Sequence, residues 1–375
     1  MKTSPPAEAA PQKPAVLVVE DEARSRDALR IILRPFFNIQ TVDNARAALQ
    51  VLSEQPIDLV TLDQKLPDCQ GLDLLQTIKH DHADVEVIII TGYGGLKSAM
   101  EGIRHGATGY LLKPFNATEL ITLMNQTLEK KQRLDFLRTL LRGSKALWGT
   151  EQESARAWEE VRTHYFSIGK PNPDAAASSS DSTKLLPLLS ELLEAKDRQL
   201  LNHCSRVSFY ATLVGNRLDL TIAEQKSLAL GAFLHDIGKI SIEGCNFSEN
   251  QTTDAGESAS FKQHPDIGAR MVLRLGLPTE VGQIISYHHE RYDGSGYPHG
   301  LRGEGIPLLA QIVCIAQVFD HLTAKVPGRS PVAVDDALRQ ISSEAGIHFD
   351  PMLTDVFTRA VTECKESLPA MPIAA

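Results

Sequence analysis

The stretch from Tyr287 to Pro298 reads YHHERYDGSGYP. It combines two adjacent histidines, His288 and His289, with an acid and a glycine-rich turn. If both histidines lie on a helix, their side chains point about 100° apart, because a helix has about 3.6 residues per turn. Both rings can then face one pocket that holds two nearby cations.

Three further stretches carry side chains of the same kind. FLHDIGKI contains His235, Asp236 and Lys239, QHPDIG contains His264, and NHCSRV contains His203. Imidazole and carboxylate groups are the usual ligands of divalent transition metals. A lone histidine is more often an ordinary core or surface residue, but five of the twelve histidines fall in these four short stretches. The pattern therefore predicts a metal site.

The length and composition of the chain favour a globular protein of two domains and a linker. The chain has 375 residues, 42% hydrophobic and 23% charged, which is too long for one ordinary domain. The formal net charge of −9 argues against a DNA-binding protein, which would need a basic face. The five cysteines show no regular spacing and are typical of reduced thiols in the cytoplasm.

The chain offers no sequence pattern for membrane insertion. No apolar run approaches the length of about 20 residues that spans a bilayer. The first residues, MKTSPPAEAAPQK, lack the apolar segment of a signal peptide. Their proline and alanine content predicts a disordered lead-in over residues 1–13.

The N-terminal part alternates apolar runs with helical patterns. This alternation predicts an α/β doubly wound domain with a parallel five-stranded sheet over residues 14–130. In such sheets functional groups gather at the C-terminal ends of the strands. The predicted strands are Ala15–Val19, Ile39–Val42, Ile57–Asp63, Val85–Thr91 and Gly109–Phe115.

The strand ends bring together three acids, a hydroxyl and a lysine. Glu20, Asp21 and Asp63 repel one another unless a cation lies among them, and oxygen ligands favour Mg²⁺. Thr91 and Lys113 suit a group that gains the charge of a phosphoryl group. The alternative is that the acids only cap helices.

Residues 14–130 resemble the receiver domain of response regulators. The resemblance rests on Glu20-Asp21, on Asp63 in VTLDQKLPD, on Thr91 in IIITGYG and on Lys113-Pro114 in GYLLKPF. It implies that Asp63 accepts a phosphoryl group from a cognate histidine kinase. The other implied roles are Mg²⁺ binding by Glu20, Asp21, Asp63 and the carbonyl of Lys65, phosphoryl contacts by Thr91 and Lys113, and a switch role for Tyr110.

The segment 131–184 is expected to be a helical connector followed by a flexible linker. Leucine and methionine side chains recur at helical spacing from Leu120 to Leu141. This stripe could pair with a second copy in a homodimer, or it could pack against the chain's own core. The residues from Pro171 to Lys184 are small, polar and interrupted by proline, as in a flexible linker.

Residues 185–369 form a second, all-α domain in this interpretation, followed by a tail over 370–375. They resemble the HD-GYP domain, which belongs to the HD superfamily of metal-dependent phosphohydrolases. The HD pair is His235-Asp236, and the GYP triplet is Gly296-Tyr297-Pro298. The resemblance implies that His203, His235, Asp236, His264, His288 and His289 bind two metals, iron or manganese.

The activity implied by the HD-GYP resemblance is the hydrolysis of cyclic di-GMP to linear pGpG or GMP. Asp236 would bridge the metals, and two metals about 4 Å apart activate water for in-line attack. Lys239 would contact the scissile phosphate or stabilise the leaving group. The GYP triplet could dock cyclase-domain proteins or only shape a turn beside the pocket.

The chain departs from the HD-GYP pattern at several positions. Gln317 in AQVFDHL stands where the family has a metal-ligand aspartate, which predicts a weak or lost ligand. Asp320 lies on nearly the same face and could substitute in part or keep a structural role. Gln199 replaces a glutamate of three-metal members, so at most two metals are expected. Val326 replaces a phosphate-gripping arginine, while Arg329 takes the second basic position.

Three functional hypotheses follow. The first is a response regulator whose phosphorylation at Asp63 controls cyclic di-GMP hydrolysis. The second is a catalytically weak or inactive HD-GYP module that binds ligand or protein partners; Gln317 and Val326 motivate it. The third is an HD-type phosphohydrolase acting on another nucleotide, against which the intact GYP stretch argues.

Overall fold

The computed structural model describes most of the chain. The described residues are 13–92, 96–143, 147, 151–168, 182–242, 259, 261–325 and 329–367. Val326, residues 1–12 of the predicted lead-in, residues 171–181 of the predicted linker and the tail over 370–375 lie outside them. The chain divides into two compact units after Gln132. This division falls close to the predicted end of the first domain at residue 130.

The first unit contains a parallel sheet in the order β2-β1-β3-β4-β5. Each strand begins or ends within two or three residues of its predicted apolar run. In the register, Val16 lies between Ile39 and Leu59. The strands are β1 (Ala15–Val19), β2 (Asn38–Val42), β3 (Leu59–Asp63), β4 (Glu86–Thr91) and β5 (Gly109–Leu112).

Five helices follow these strands in alternation, so the predicted α/β doubly wound fold is confirmed. Asn44 caps α2 by accepting a hydrogen bond from the Ala47 N–H, which satisfies a donor that has no partner inside the helix. One core packs on each face of the sheet. The helices are α1 (Ala23–Leu33), α2 (Ala45–Glu54), α3 (Gly71–Asp81), α4 (Leu96–Arg104) and α5 (Ala117–Gly143).

The second unit is helical, as predicted. Thr221 and Glu224 form a capping box at the start of α9, in which the side chain of each residue accepts a hydrogen bond from the backbone N–H of the other. This pattern strongly favours the start of a helix. Its helices are α6 (Glu151–Ser167), α7 (Ser182–Lys196), α8 (Arg198–Gly215), α9 (Ile222–Leu234), α10 (His264–Arg274), α11 (Thr279–Tyr287), α12 (Leu308–Thr323), α13 (Val334–Ser343) and α14 (Pro351–Ser367).

The connector packs into the core of the second unit. Leu137 of α5 and Trp158, Val161 and Tyr165 of α6 are buried in one cluster with leucines of α7. The leucine stripe at the end of α5 therefore contacts the chain's own core, which is one of the two alternatives that the sequence left open. Helix α7 begins at Ser182, three residues before the predicted domain start at Leu185.

A second cluster joins α8, α12, α13 and α14, and includes Phe319 and Phe357. Helix α12 contributes to it through an almost continuously buried, apolar sequence. Helices α8, α9, α10 and α11 pack closely on one another, and this packing holds the ends of the helices that carry the predicted ligands. None of the helices in the described ranges is long and apolar enough to cross a membrane.

Candidate metal centres

The six predicted metal ligands of the second unit converge in the structure. They form two groups that share Asp236: one with His203 and His235, and one with His264, His288 and His289. Within each group the nitrogen and oxygen ligand atoms lie within 4.8 Å of one another. The structure therefore brings together side chains from four separate stretches of the sequence.

The expectation that the paired ligands lie on helices is wrong in detail. Helix α9 ends at Leu234, so His235 is its C-cap and Asp236 begins a 3₁₀ turn over Ile237–Ser241. Helix α11 ends at Tyr287, and His288 is its C-cap. His289 lies beyond the helix, with its ring centroid 4.3 Å from that of His288. The ligand pairs are thus presented by helix ends.

Three of the histidines use the same local contact. The Nδ1–H groups of His235, His264 and His288 each donate to the carbonyl three residues upstream, at 2.8, 2.8 and 2.7 Å. The acceptors are Ala232, Phe261 and Ile285. Carbonyls in the last turn of a helix lack partners within the helix, so at the ends of α9 and α11 the rings supply them. The contact fixes the tautomer and directs Nε2 into the site.

The carboxylate of Asp236 lies between the two groups of histidines. Its Oδ2 atom is 3.3 Å from His235 Nε2 and 3.6 Å from His203 Nε2. Its Oδ1 atom is 3.2 Å from His264 Nε2 and 3.7 Å from His288 Nε2. One oxygen therefore faces each group, as a carboxylate bridging two cations requires.

The donor set fits divalent metals. The Nε2 atoms of His203 and His235 face each other at 3.2 Å, and those of His264 and His288 face each other at 3.3 Å. Because Nδ1 carries the proton in His235, His264 and His288, these Nε2 atoms bear lone pairs that need a cation. Asp236 Oδ1 and His289 Nε2 are also buried without a hydrogen-bond partner in the described part of the chain. A cation would provide the interaction that these buried atoms lack within the protein.

Burial keeps four of the histidines neutral, whereas the groups around Asp236 keep its carboxylate charged. Burial lowers the pKa of His288 to about 3, and it also lowers the pKa of His203, His264 and His289. For Asp236, burial raises the pKa, but the charge of Lys239 and the interactions with His235 and His264 outweigh it and lower the pKa well below its ordinary value. Neutral imidazole and ionised carboxylate are the forms that bind metal.

His203 is oriented by an acid on α12. Its Nδ1 atom lies 2.7 Å from Asp320 Oδ2. Arg206 binds the same carboxylate through two nitrogens, at 2.6 and 2.9 Å. Both oxygens of Asp320 are thus engaged away from the centre. Asp320 was considered either as a substitute metal ligand or as a structural residue, and its contacts with His203 and Arg206 fit the structural role.

Gln317 is buried beside the centre, and its amide nitrogen donates to the His288 carbonyl oxygen at 3.0 Å. The side chain therefore supports the backbone at the end of α11. A glutamine at this position contributes no negative charge. Among the six converging residues, Asp236 therefore supplies the negative charge.

Lys239 lies inside the candidate centre, and Arg329 lies outside it. Lys239 Nζ is 2.6 Å from Asp236 Oδ2 and 4.9 Å from the Phe261 ring centroid. Arg329 is exposed, and its guanidinium donates to the His321 carbonyl. The His321 ring in turn stacks on His203, with centroids 4.8 Å apart. Val326, where the family resemblance expects a basic residue, lies outside the described residues.

The GYP triplet packs directly on the second group of ligands. The Tyr297 ring stacks on His289 with centroids 4.6 Å apart and an interplanar angle of 15°. A Cβ atom at Gly296 would lie 2.5 Å from the His289 carbonyl oxygen, so only glycine fits this close approach. Pro298 follows a cis peptide bond. The triplet therefore fixes Tyr297 against a candidate metal ligand.

Glu290 and Gly238 are structural residues that sequence reasoning missed. Both carboxylate oxygens of buried Glu290 accept backbone N–H groups, from His299 at 2.7 Å and Leu301 at 2.9 Å. A Cβ atom at Gly238 would lie 1.9 Å from the His264 carbonyl oxygen, which fixes the approach of the Lys239 turn to α10. In the sequence, these two residues could have been noticed as the acid that follows the histidine pair in HHE and as the glycine within HDIGK.

The first unit has a second candidate site at the C-terminal edge of its sheet. Glu20, Asp21 and Asp63 come together there. Lys113 Nζ lies 2.6 Å from Glu20 Oε2 and 2.6 Å from Asp63 Oδ2. The Lys65 N–H donates to Asp63 at 3.1 Å. This arrangement suits a hard cation with oxygen ligands such as Mg²⁺.

The remaining receiver residues lie on the adjoining strands. Thr91 is buried at the end of β4, and its carbonyl accepts the Lys113 N–H at 2.8 Å. Tyr110 lies on β5 and is partly buried against the sheet core. Burial raises the pKa of Glu20 although Lys113 opposes it. For Lys113, burial lowers the pKa, but its bonds with Asp63 and Glu20 prevail and raise it.

Comparison with known proteins identifies the families of both units. The response regulator receiver domain family matches residues 16–125, and the HD domain family matches residues 187–353. The cyclic di-GMP phosphodiesterase response regulator RpfG of Xanthomonas campestris pv. campestris is 28% identical over 94% of this chain and 89% of that protein.

Two further relatives extend the comparison. A cyclic di-GMP phosphodiesterase of Thermotoga maritima is 27% identical over 93% of this chain and 90% of that protein. The 3'3'-cGAMP-specific phosphodiesterase 2 of Vibrio cholerae is 31% identical over 47% of this chain and 34% of that protein. The first of these covers both units, and the second covers about half of the chain.

Proposed function

We propose that this chain, a response regulator that joins a receiver domain to an HD domain, is a metal-dependent phosphodiesterase that hydrolyses cyclic di-GMP to linear pGpG or GMP. The observation that carries the proposal is the convergence of His203, His235, His264, His288 and His289 on Asp236. Full-length relatives named as cyclic di-GMP phosphodiesterases support the substrate.

The proposed cofactors are two divalent transition metals, iron or manganese, held by the six converging residues. Bound divalent metals lower the pKa of water and stabilise charge on a phosphoryl group. Asp236 supplies one oxygen to each group of histidines. The hydrogen bonds at Nδ1 keep the Nε2 lone pairs of His235, His264 and His288 directed into the site.

Lys239 is the proposed catalytic cation. Its ammonium group lies 2.6 Å from Asp236 Oδ2 and is almost completely buried. In a buried site a fixed positive charge interacts with a developing negative charge more strongly than in water. Lys239 therefore binds the scissile phosphodiester and stabilises the departing oxygen as the P–O bond breaks. The water oxygen forms the new P–O bond as the old one breaks, and a water proton passes to the departing oxygen, which gives a hydroxyl group and a phosphate monoester.

Turnover of purified protein tests this function. Full-length protein is incubated with Mn²⁺ and cyclic di-GMP, and the linear product is quantified by chromatography. Wild type is expected to form pGpG, whereas His235→Ala/Asp236→Ala forms none. Equal product from both proteins, or none from either, contradicts the proposal. Parallel reactions with 3'3'-cGAMP measure the preference between cyclic dinucleotides.

A second candidate function is a binding module with slow or absent turnover, and Gln317 favours it. The family resemblance expects an acid there, but the amide of Gln317 is bonded to the His288 carbonyl instead. Ligand or protein partners, including cyclase-domain proteins, would then be the output. Cyclic di-GMP binding without turnover at saturating Mn²⁺ is the outcome that selects this function.

The proposed control is phosphorylation of Asp63 by a cognate histidine kinase. Lys113 and the neighbouring acids surround Asp63 at the edge of the sheet, and Mg²⁺ is the proposed cofactor there, held by Glu20, Asp21, Asp63 and the Lys65 carbonyl. Phosphorylation would shift a population of conformers, and homodimer formation is one such change. Mass measurement in solution with and without a phosphodonor tests it.

A further inference from the structure

Lys262 occupies a short 3₁₀ turn, Phe261–Gln263, immediately before the ligand candidate His264. Its side chain is partly buried. Its Nζ atom lies 5.1 Å from the centre of the Tyr297 ring, within the range of a cation–π contact. The ammonium group is therefore held at a defined position rather than extended into water.

Tyr297 connects this lysine to the candidate metal centre. The same ring stacks on His289 with centroids 4.6 Å apart, and Gly296 allows that approach because a Cβ atom there would meet the backbone of residues 289–291. Lys262 therefore contacts the Tyr297 ring, and that ring contacts His289, which belongs to one of the two ligand groups that share Asp236. The charge of Lys262 lies beside the centre but outside it.

The carboxylates in the same region are engaged elsewhere. Glu290 accepts two backbone N–H groups, Asp293 accepts from Ser295, and Asp266 accepts from Ser286. In the part of the chain that the structure describes, Lys262 forms no ion pair. A partly buried cation that is held in place and not neutralised by an acid suits an anionic ligand group.

A cyclic dinucleotide contains two phosphodiester groups, and only one can occupy the centre beside Lys239 at a time. We infer that Lys262, positioned by Tyr297, binds the phosphodiester that is not being cleaved. This inference rests on the proposed function and adds a substrate-binding residue to it.

The inference separates two classes of substrate. A cyclic dinucleotide presents a second phosphate to Lys262, whereas bis(4-nitrophenyl) phosphate has a single phosphodiester. Loss of the lysine charge should therefore reduce binding of the dinucleotide more than binding of the small diester. An arginine retains the charge and can maintain the contact with the Tyr297 ring.

The test compares Lys262→Gln and Lys262→Arg with wild type and with Lys325→Gln, which removes an exposed lysine. The readouts are the Kd of cyclic di-GMP for the metal-loaded full-length protein and the KM of both substrates. Lys262→Gln is expected to raise the Kd and the KM of cyclic di-GMP about tenfold, with a smaller effect on bis(4-nitrophenyl) phosphate. Lys262→Arg is expected to stay within about threefold of wild type.

Each outcome decides a separate claim. Equal Kd values for wild type and Lys262→Gln overturn the inference, as does an equal loss for both substrates. Absence of turnover in wild type contradicts the proposed activity but leaves the Kd comparison informative, because binding is measured independently. Thermal unfolding of each variant confirms that the fold is retained.

Discussion

The side-chain amide of Gln317 donates a 3.0 Å hydrogen bond to the main-chain carbonyl of His288. This contact ties α12 to the end of α11, where two of the candidate ligands lie. It also gives the neutral side chain of Gln317 a hydrogen-bond partner beside the candidate metal ligands. The amide stabilises the backbone, whereas an acid would add charge for a metal.

Gln317→Asp is expected to raise metal affinity, because ligand charge strengthens cation binding. We expect the weaker of two Mn²⁺ sites to tighten about tenfold, measured by equilibrium dialysis. The metal-free variant should lose about 1 kcal/mol of stability because the bond to His288 is removed. Gln317→Asn is the matched control, since it shortens the side chain without adding charge. Unchanged stoichiometry and affinity in Gln317→Asp would count against a ligand role at this position.

Asp320→Asn should weaken metal binding without touching a metal. Asp320 orients the His203 ring through Nδ1 and is bound by Arg206. Removing a carboxylate partner of a metal-binding histidine typically lowers affinity about 10–100-fold. Isothermal titration with Mn²⁺ measures the change. Asp335→Asn, at an exposed ion pair with Lys365, is the control, and equal affinities for the two variants would exclude the orienting role.

The stability of the metal-free second unit should fall on acidification. The pKa of His288 is lowered from 6.5 to about 3, mainly by burial. Between these values the unfolded chain binds a proton that the folded chain does not, so stability is full above about pH 6.5 and decreases as the pH falls toward 3. Each such histidine contributes about 1.4 kcal/mol per pH unit.

Urea unfolding at pH 7.5, 6.5 and 5.5, followed by tryptophan fluorescence, checks this dependence. Both tryptophans belong to the second unit, so the signal reports on it. The pH dependence of stability should decrease by about one proton in His288→Gln, whereas His299→Gln, at an exposed position of the same unit, should keep the wild-type dependence. Identical slopes in all three proteins would refute the neutral, buried state of His288.

Asp63→Asn should abolish incorporation of a phosphoryl group from acetyl phosphate with Mg²⁺. Asp63 lies beside Lys113, whose positive charge stabilises an added phosphoryl group, and beside Glu20 and Asp21, which would hold Mg²⁺. Intact-mass spectrometry measures the modification, and Asp73→Asn, at an exposed position on α3, serves as the control. Phosphorylation retained by Asp63→Asn at the wild-type level would place the acceptor elsewhere.

The sequence was informative where local pattern determines position. The apolar runs predicted the strands, and their C-terminal ends predicted the acids around Asp63, because parallel strands bring those ends together. The cap at Thr221 is another local feature, because a capping residue acts on the first turn of its own helix. The grouping of five histidines in four short stretches predicted a metal site, whereas the full set of six ligands came from motif resemblance.

Contacts between distant residues could not be predicted in the same way. Asp320 and His203 are separated by 117 positions, and no local pattern reveals that their side chains are hydrogen-bonded. The end of α11 at Tyr287 was also missed, because the apolar periodicity continues into the histidines while the ring of His288 satisfies the helix carbonyls. The GYP stretch indicated a turn, but the stacking of Tyr297 on His289 depends on tertiary packing.

The central claim is that Asp236 is shared by two metal-binding groups. A Mn²⁺ titration of metal-stripped full-length protein tests it most directly, with wild type, Asp236→Asn, His235→Gln and His289→Gln compared at one pH. The account predicts two Mn²⁺ in the second unit of each wild-type chain, counted apart from any cation at Glu20, Asp21 and Asp63, with loss of one in each histidine variant and weakening of both in Asp236→Asn. Wild-type binding of less than one Mn²⁺ in this domain, or an Asp236→Asn titration identical to that of wild type, would contradict it.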